Sequence, residues 1–201
     1  MSDVADPAAL LARLGADDRS ARRTAAVRLA GTLAAIEDAD AYAPLVGRAL
    51  ADVDVQVRRA VVQALVELAG AGRHLEMIER VVSARLDEQD VVLRRGLVAA
   101  LTTVLVVSGR APAPSGPLAR SLADPDADVR LLLVSALWEL ADDEVAIDAW
   151  IDALVLRLDD PHAHVRDAAM RALTVAARRD PAMAGRVHRE YAALRRRASG
   201  G

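Results

Sequence analysis

The residues with the clearest capacity for chemistry are His162 and His164, which stand two apart in a turn directly after Asp159 and Asp160. Imidazole and carboxylate groups are common ligands of zinc and related metal ions. A metal site also needs a third and usually a fourth ligand, and no further convincing ligand stands near this turn. We therefore predict that the protein holds no metal and needs no cofactor.

Nucleophilic catalysis is not indicated by any motif of the chain. There is no Cys, and no Ser occupies the strand-to-helix elbow that activates a nucleophile. The segment Gly70-Ala-Gly72 is typical of a helix end rather than of a phosphate-binding loop. His74 and His188 are isolated in the sequence. We predict no catalytic residues and a protein that is not an enzyme.

The composition favours a helical protein with a core of small side chains. The 201 residues are 53% hydrophobic but only 2% aromatic, with no Phe, and the formal net charge is −3. Ala, Val and Leu must therefore fill the core, which suits helices packed at close range. The N-terminal residues are acidic where a signal peptide is basic and apolar. Apolar runs are interrupted by charge before the ~20 residues of a membrane span, so we expect a cytoplasmic protein without membrane contact.

A repeat with a period of 36 residues organises the whole chain. An apolar residue followed by Arg recurs at this spacing as Ala21-Arg22, Val57-Arg58, Leu93-Arg94, Val129-Arg130 and Val165-Arg166. One Leu column precedes these pairs (Leu14, Leu50, Leu86, Leu122, Leu158) and another follows them (Leu29, Leu65, Leu101, Leu137, Leu173). Such periods are the mark of stacked repeat proteins, in which each unit buries its apolar face only against its neighbours.

Each repeat contains two helices. The second is apolar at i, i+4, i+7 and i+8 from Val57 in repeat 2, and the first shows a similar stripe from Ile147 in repeat 5. An acid two residues after the first Leu column, twice followed by Pro, predicts the N-cap of the second helix. These predicted N-caps are Asp52, Glu88, Asp124 and Asp160.

The strings Leu122-Ala-Asp-Pro-Asp-Ala-Asp-Val-Arg130 and Leu158-Asp-Asp-Pro-His-Ala-His-Val-Arg166 resemble HEAT repeats, in particular the short bacterial kind named after phycobilisome lyases. The resemblance implies an all-α fold, a right-handed α-solenoid of five two-helix repeats. It also implies a structural ladder between the loop acids and Arg58, Arg94, Arg130 and Arg166. Repeat 1 departs from the motif because Ala16 stands in the acid column.

These patterns predict one domain over residues 1–201. The expected repeats are 8–36, 39–70, 73–108, 115–142 and 144–178, followed by a capping helix over 181–197. The stretch 108–117 contains three Pro and two Gly, so the first helix of repeat 4 should be short and preceded by an exposed loop.

If the second helices line a concave surface, as the resemblance implies, one face of each should point into a groove. That face is unusually apolar and is rimmed by Arg, which is typical of a binding site, and Trp138 is its expected anchor. The predicted partner-binding residues are Arg59, Val62, Val66, Arg95, Val98, Thr102, Leu131, Val134, Trp138, Met170 and Arg171. Val62, Val98 and Val134 lie near the core boundary, and burial in the core is the alternative for them.

Three classes of function remain open at this point. A non-catalytic scaffold or adaptor that binds a peptide or protein through the groove is the best supported. The alternative is a nucleic-acid-binding protein that uses the Arg-rich C-terminal helix, although the chain is net acidic and nearly without aromatics to stack bases. A lyase-like enzyme or accessory factor has the least support, because fold does not confer function. A homodimer that buries the apolar strip is also open.

Overall fold

The computed structural model describes residues 7–143, 145, 147–179 and 181–199. The chain divides into two compact units, Met1–Val107 and Ser108–Gly201. The division falls at the start of the Pro- and Gly-rich stretch 108–117. The expectation of one continuous domain stays a prediction.

Unit 1 contains three helix pairs. Its α-helices are α1 (Pro7–Ala12), α2 (Arg19–Ala34), α3 (Ala43–Ala49), α4 (Val55–Gly70), α5 (Leu75–Ser83) and α6 (Val91–Ser108). Short 3₁₀ turns, Arg13–Gly15 and Asp40–Tyr42, follow α1 and precede α3. The second helices of repeats 1 and 2, α2 and α4, pack side by side, as do the first helices α3 and α5. Equivalent helices therefore stack in layers.

Unit 2 contains the remaining two pairs and the last helix. Repeat 4 begins with a 3₁₀ helix, Pro117–Ala123, in place of an α-helix, and continues with α7 (Ala127–Asp142). Repeat 5 consists of a 3₁₀ turn (Asp148–Trp150), α8 (Ile151–Arg157) and α9 (Ala163–Arg179). The final helix, α10, spans Pro181–Ser199 and packs against α8 and α9. The first helix of repeat 4 is thus shortened, as the three Pro require.

The two Leu columns form the core. Every member is buried except Leu158, which is half-buried. Trp150 is also in the core, with 1% of its surface exposed. Its indole Nε1 donates a hydrogen bond of 2.7 Å to the carbonyl oxygen of Pro112, so a buried polar atom holds the Pro-rich stretch to repeat 5.

Helix α6 is mostly apolar, and its only charged residues are Arg94 and Arg95. Its length and composition alone would suit a membrane span, a test that core helices also pass, and 44% of it is buried inside the fold. The expected lack of membrane contact stays a prediction.

The second helices begin two residues later than predicted. The side chain of Asp54 accepts a hydrogen bond from the backbone N of Gln56, and Asp18 and Asp126 cap α2 and α7 in the same way. The predicted cap Asp52 instead accepts from the backbone N of Asp54, at 2.8 Å. This hydrogen bond orders the turn before the helix. The carboxylate of Asp52 also accepts hydrogen bonds from Arg22 of the preceding repeat, so it does not cap the helix.

An ion-pair ladder joins successive repeats within each unit. In unit 1 the Nε of Arg22 donates to Asp52 at 2.6 Å, and in unit 2 Arg130 holds both oxygens of Asp160 at 2.8 Å. Nη1 of each Arg donates back to carbonyl oxygens of its own repeat's turn. Each guanidinium therefore ties its own turn to the acid of the next repeat, and Arg22 belongs to the ladder as well.

The rung between repeats 2 and 3 in unit 1 is the weakest one described. Arg58 lies 3.9 Å from Glu88, and its Nε is buried without a hydrogen-bond partner.

The carboxyl of Asp160 stays ionised although it is almost fully buried. Burial alone would raise the pKa, but the hydrogen bonds from Arg130 and from the backbone N of His162 outweigh it and hold the pKa below its ordinary value. In unit 1, hydrogen bonds from Arg23 and Arg19 hold the pKa of Asp54 far below its ordinary value. In the unit 1 rung, burial would raise the pKa of Asp52, but the hydrogen bonds from Arg22 and from the backbone N of Asp54 outweigh it and hold the pKa below its ordinary value. The Arg22–Asp52 and Arg130–Asp160 rungs are therefore charged pairs at neutral pH.

Candidate functional site

Four of the predicted partner-binding residues lie in the core. The exposed surface is 6% for Val62, 0% for Val98, 5% for Thr102 and 0% for Val134. Their prediction as surface residues is wrong, because a helix inside a stack has neighbours on both sides and buries a wider arc than one stripe. Gly96 on α6 helps to bury Val62. Because Gly96 has no side chain, the backbone of α6 lies directly against the Cγ1 atom of Val62.

The other predicted residues of unit 1 form little open surface. Arg59 donates to Asp90 at 3.4 Å, and 43% of its side chain is exposed. Asp90 accepts hydrogen bonds from the backbone at the start of α6, so Arg59 supports a helix start. Val66 and Arg95 are half-buried. The predicted strip is therefore not a continuous surface in this unit.

In unit 2 the structure brings three predicted residues together. Leu131 and Trp138 on α7 and Arg171 on α9 line a cleft of about 220 Å³ between these two helices. Its remaining lining residues are Ser135, His164, Asp167 and Ala168. Met170 is 44% exposed but is not a lining residue.

Trp138 and Arg171 form the centre of this α7–α9 cleft. The guanidinium carbon of Arg171 lies 5.4 Å from the Trp138 ring centroid, which is a cation–π contact. The indole is half-buried and Arg171 is exposed. Arg171 makes no hydrogen bond or ion pair with any residue that the structure describes. One face of the Trp138 ring is thus covered by the Arg171 guanidinium, whose N–H groups can donate hydrogen bonds to a bound ligand.

The cleft volume fits one side chain. Cavities of about 150 Å³ are known to hold a benzene ring, whereas pockets for drug-sized ligands measure about 300–1,000 Å³. At about 220 Å³ the α7–α9 cleft suits a single apolar or aromatic group. An apolar wall and a few polar groups at the edge are typical of a pocket for one anchor residue of a peptide.

Sequence reasoning missed His164 and Asp167 as members of the cleft. A signal was present, because residues 164, 167 and 171 are spaced three and four apart and share one face of α9. The His164 ring also contacts that of His162, with centroids 5.7 Å apart. Within the described ranges no three His, Cys, Asp or Glu side chains are placed to hold a metal ion. The expectation of no metal stays a prediction.

The Arg-rich C-terminal segment is partly engaged in structure. Arg186 pairs with Asp152 at 2.8 Å, and Arg179 donates to the carbonyl oxygen of Asp142 at 3.2 Å. Arg178, Arg189 and Arg196 are exposed. Fewer cations are therefore available for a phosphate backbone than the sequence suggests.

Comparisons with known proteins place the chain in a fold class. No family model and no curated protein matches the sequence. Among solved structures, the chain is similar to an engineered protein at 21% identity, with a TM-score of 0.59 over 86% of this chain and 79% of that one. It is also similar to a designed armadillo repeat protein at 17% identity, with a TM-score of 0.59 over 92% of this chain and 88% of that one. The predicted all-α solenoid class is confirmed by these likenesses, which show the fold alone.

Proposed function

We propose that the protein is a non-catalytic scaffold that binds a protein partner by taking one apolar side chain of a peptide segment into the α7–α9 cleft. The observation that carries the proposal is Trp138, a half-exposed indole lining a cleft of about 220 Å³. Its column-mates in the other repeats are Ala30, Val66, Thr102 and Thr174. A single large aromatic in a column of small residues is unneeded for stacking, which favours a role in binding.

The chemistry of the cleft suggests how a peptide would be held. An apolar or aromatic side chain would lie against Leu131 and the indole of Trp138, which loses its water on binding. Arg171 would remain over the ring and could donate to a peptide carbonyl or carboxylate. Ser135 and Asp167 offer further polar contacts at the rim. The cleft would thus select one anchor residue, and neighbouring contacts would supply the rest of the affinity.

Peptides selected from a random phage-displayed library against the whole chain would test this. Their affinities should be measured for wild type, Trp138→Ala and Leu156→Ala. Leu156 is the matched control, because it is a 51% exposed apolar residue on α8 and does not line the cleft. Loss of a central aromatic anchor costs about 2 kcal/mol or more, so Trp138→Ala should weaken binding roughly 30-fold, and Leu156→Ala should not.

The proposal fails if the selected peptides bind Trp138→Ala as well as wild type while circular dichroism shows both to be folded. Binding lost equally in Leu156→Ala would also contradict it, because the affinity would then follow general surface hydrophobicity. Nucleic-acid binding through the exposed Arg178, Arg189 and Arg196 is the second candidate. It would appear as retention on single-stranded DNA that decreases steeply with salt and is unchanged by Trp138→Ala.

A further inference from the structure

Arg166 occupies the same position in repeat 5 as the ladder residues Arg22 and Arg130 in repeats 1 and 4. Its Nη1 donates to the carbonyl oxygens of Asp160 and Pro161, at 2.8 and 3.1 Å. Arg130 makes the corresponding bonds to the carbonyls of Asp124 and Pro125, at 2.7 and 3.1 Å. The turn therefore fixes both guanidinium groups in the same manner.

The two residues differ at the other edge of the guanidinium. In Arg22 and Arg130 the Nε and Nη2 atoms both donate to a carboxylate of the next repeat. In Arg166 these atoms make no hydrogen bond or ion pair to any part of the chain that the structure describes. Arg166 is half-buried, so its fork is already oriented and partly desolvated. Among the described residues, no acid takes the place at Arg166 that Asp52 takes at Arg22 and Asp160 takes at Arg130.

The repeat register shows what replaces the acid. Adding 36 residues to Asp160 leads to position 196, where the chain has Arg rather than Asp. Arg196 lies in α10, is exposed and makes no ion pair with the described residues. The sequence therefore has no acid at the column position that follows Arg166.

We propose that the Nε–Nη2 edge of Arg166 is a binding site for a carboxylate of an acidic protein segment. A planar fork held by a backbone turn matches a carboxylate with two parallel hydrogen bonds, and this chain uses that arrangement for carboxylates at Arg22 and Arg130. A second copy of the chain is a poor occupant. Its first repeat has Ala16 in the acid column, followed by Asp17 and Asp18, so end-to-end stacking would not reproduce the carboxylate position of Asp52 and Asp160.

The site can be tested by observing the Nε–Hε resonance of Arg166 by nuclear magnetic resonance in the full chain. The probe is a peptide with the sequence of residues 123–128, Ala-Asp-Pro-Asp-Ala-Asp, and the matched control peptide has Asn at each Asp. The Arg166 resonance should shift with the acidic peptide and stay in place with the neutral one. This measurement needs no variant and so does not depend on a variant's folding.

Arg166→Lys, which keeps the charge and removes the fork, supplies the second test. Its affinity for the acidic peptide should be roughly fivefold weaker than that of wild type, as expected for one charge-assisted pair at a half-exposed site. The control Arg120→Gln, which changes an exposed Arg outside the ladder, should bind like wild type. An unmoved Arg166 resonance, or equal affinity of Arg166→Lys and wild type, would overturn the site. A twelve-residue thymidine oligonucleotide that binds at Arg166 more tightly than the acidic peptide would also overturn the proposal, because the ligand of this site would then be a nucleic acid.

Discussion

The Asp160→Asn substitution should destabilise unit 2 strongly, because Asp160 is the acid of a buried ladder rung. The exposed fraction of the side chain is 1% for Asp160 and 8% for Arg130. Asn keeps the shape of the side chain and removes its charge. The guanidinium of Arg130 then remains buried beside a neutral amide and loses one of its two acceptors.

The expected cost can be bounded from similar pairs. Removal of one partner of a buried ion pair costs about 3–5 kcal/mol, and we expect the lower end, about 3 kcal/mol, because Asn retains one acceptor. For a chain of this length each kcal/mol lowers Tm by about 2–4 °C, so Tm should fall by at least about 6 °C. The matched control is Asp152→Asn, which breaks the Arg186–Asp152 pair, whose side chains are 38% and 67% exposed. Exposed pairs contribute about 0–1 kcal/mol.

Tryptophan fluorescence is the assay that isolates this effect. Both Trp residues of the chain, Trp138 and Trp150, belong to unit 2, so their emission during urea or thermal unfolding follows that unit, whereas circular dichroism follows both. A shift of the Trp transition that is no larger for Asp160→Asn than for Asp152→Asn would refute the reasoning. It would mean that the rung is solvated and contributes like a surface pair.

Three further predictions concern other parts of the fold. Gly96→Ala should lower the stability of unit 1 by about 1–3 kcal/mol, because the new methyl group collides with Val62; circular dichroism melts of Gly96→Ala, Val62→Ala and the double variant should show partial rescue in the double variant, and additive losses would contradict it. Trp150→Phe removes the hydrogen bond to the Pro-rich stretch and should cost about 1 kcal/mol; trypsin should then cleave after Arg110 faster than in wild type, and an unchanged rate would show that the bond does not hold the stretch. The pKa of Asp54 is lowered by its Arg partners, so the stability that it provides is complete above its unfolded pKa of about 3.9 and is lost as the pH falls further; the stability difference between wild type and Asp54→Asn should narrow below about pH 4, and a constant difference would contradict the assignment.

The periodic columns explain why the helices could be predicted from the sequence. Leu and Arg recur at fixed positions because the same contacts are made in every repeat, and the helix pairs follow from that recurrence. The helix starts could not be fixed in the same way. Asp52 and Asp54 are both suitable caps by residue type, and only the position of Arg22 across the repeat boundary determines that Asp52 is engaged elsewhere.

The candidate site was predictable only in part. Trp138 differs so much in size from its column-mates that the sequence alone singles it out. The width of the buried face was not predictable, because Val62 is covered through the missing side chain of Gly96 on the neighbouring helix. Arg171 stands one turn before the Trp138 column in the next repeat, and a helical wheel of a single repeat does not reveal that contact.

The arrangement of the ladder determines how the length of such a chain can change. Each rung takes its Arg from one repeat and its acid from the next, so a stretch of 36 residues cut between equivalent points carries one of each. Duplication or loss of such a stretch during evolution leaves the remaining Arg residues opposite acids. An insertion of another length inside a helix or the turn before it would shift the Arg and the acid out of register and leave a guanidinium buried without a carboxylate. Growth by whole repeats is therefore the change in length that this fold tolerates most readily.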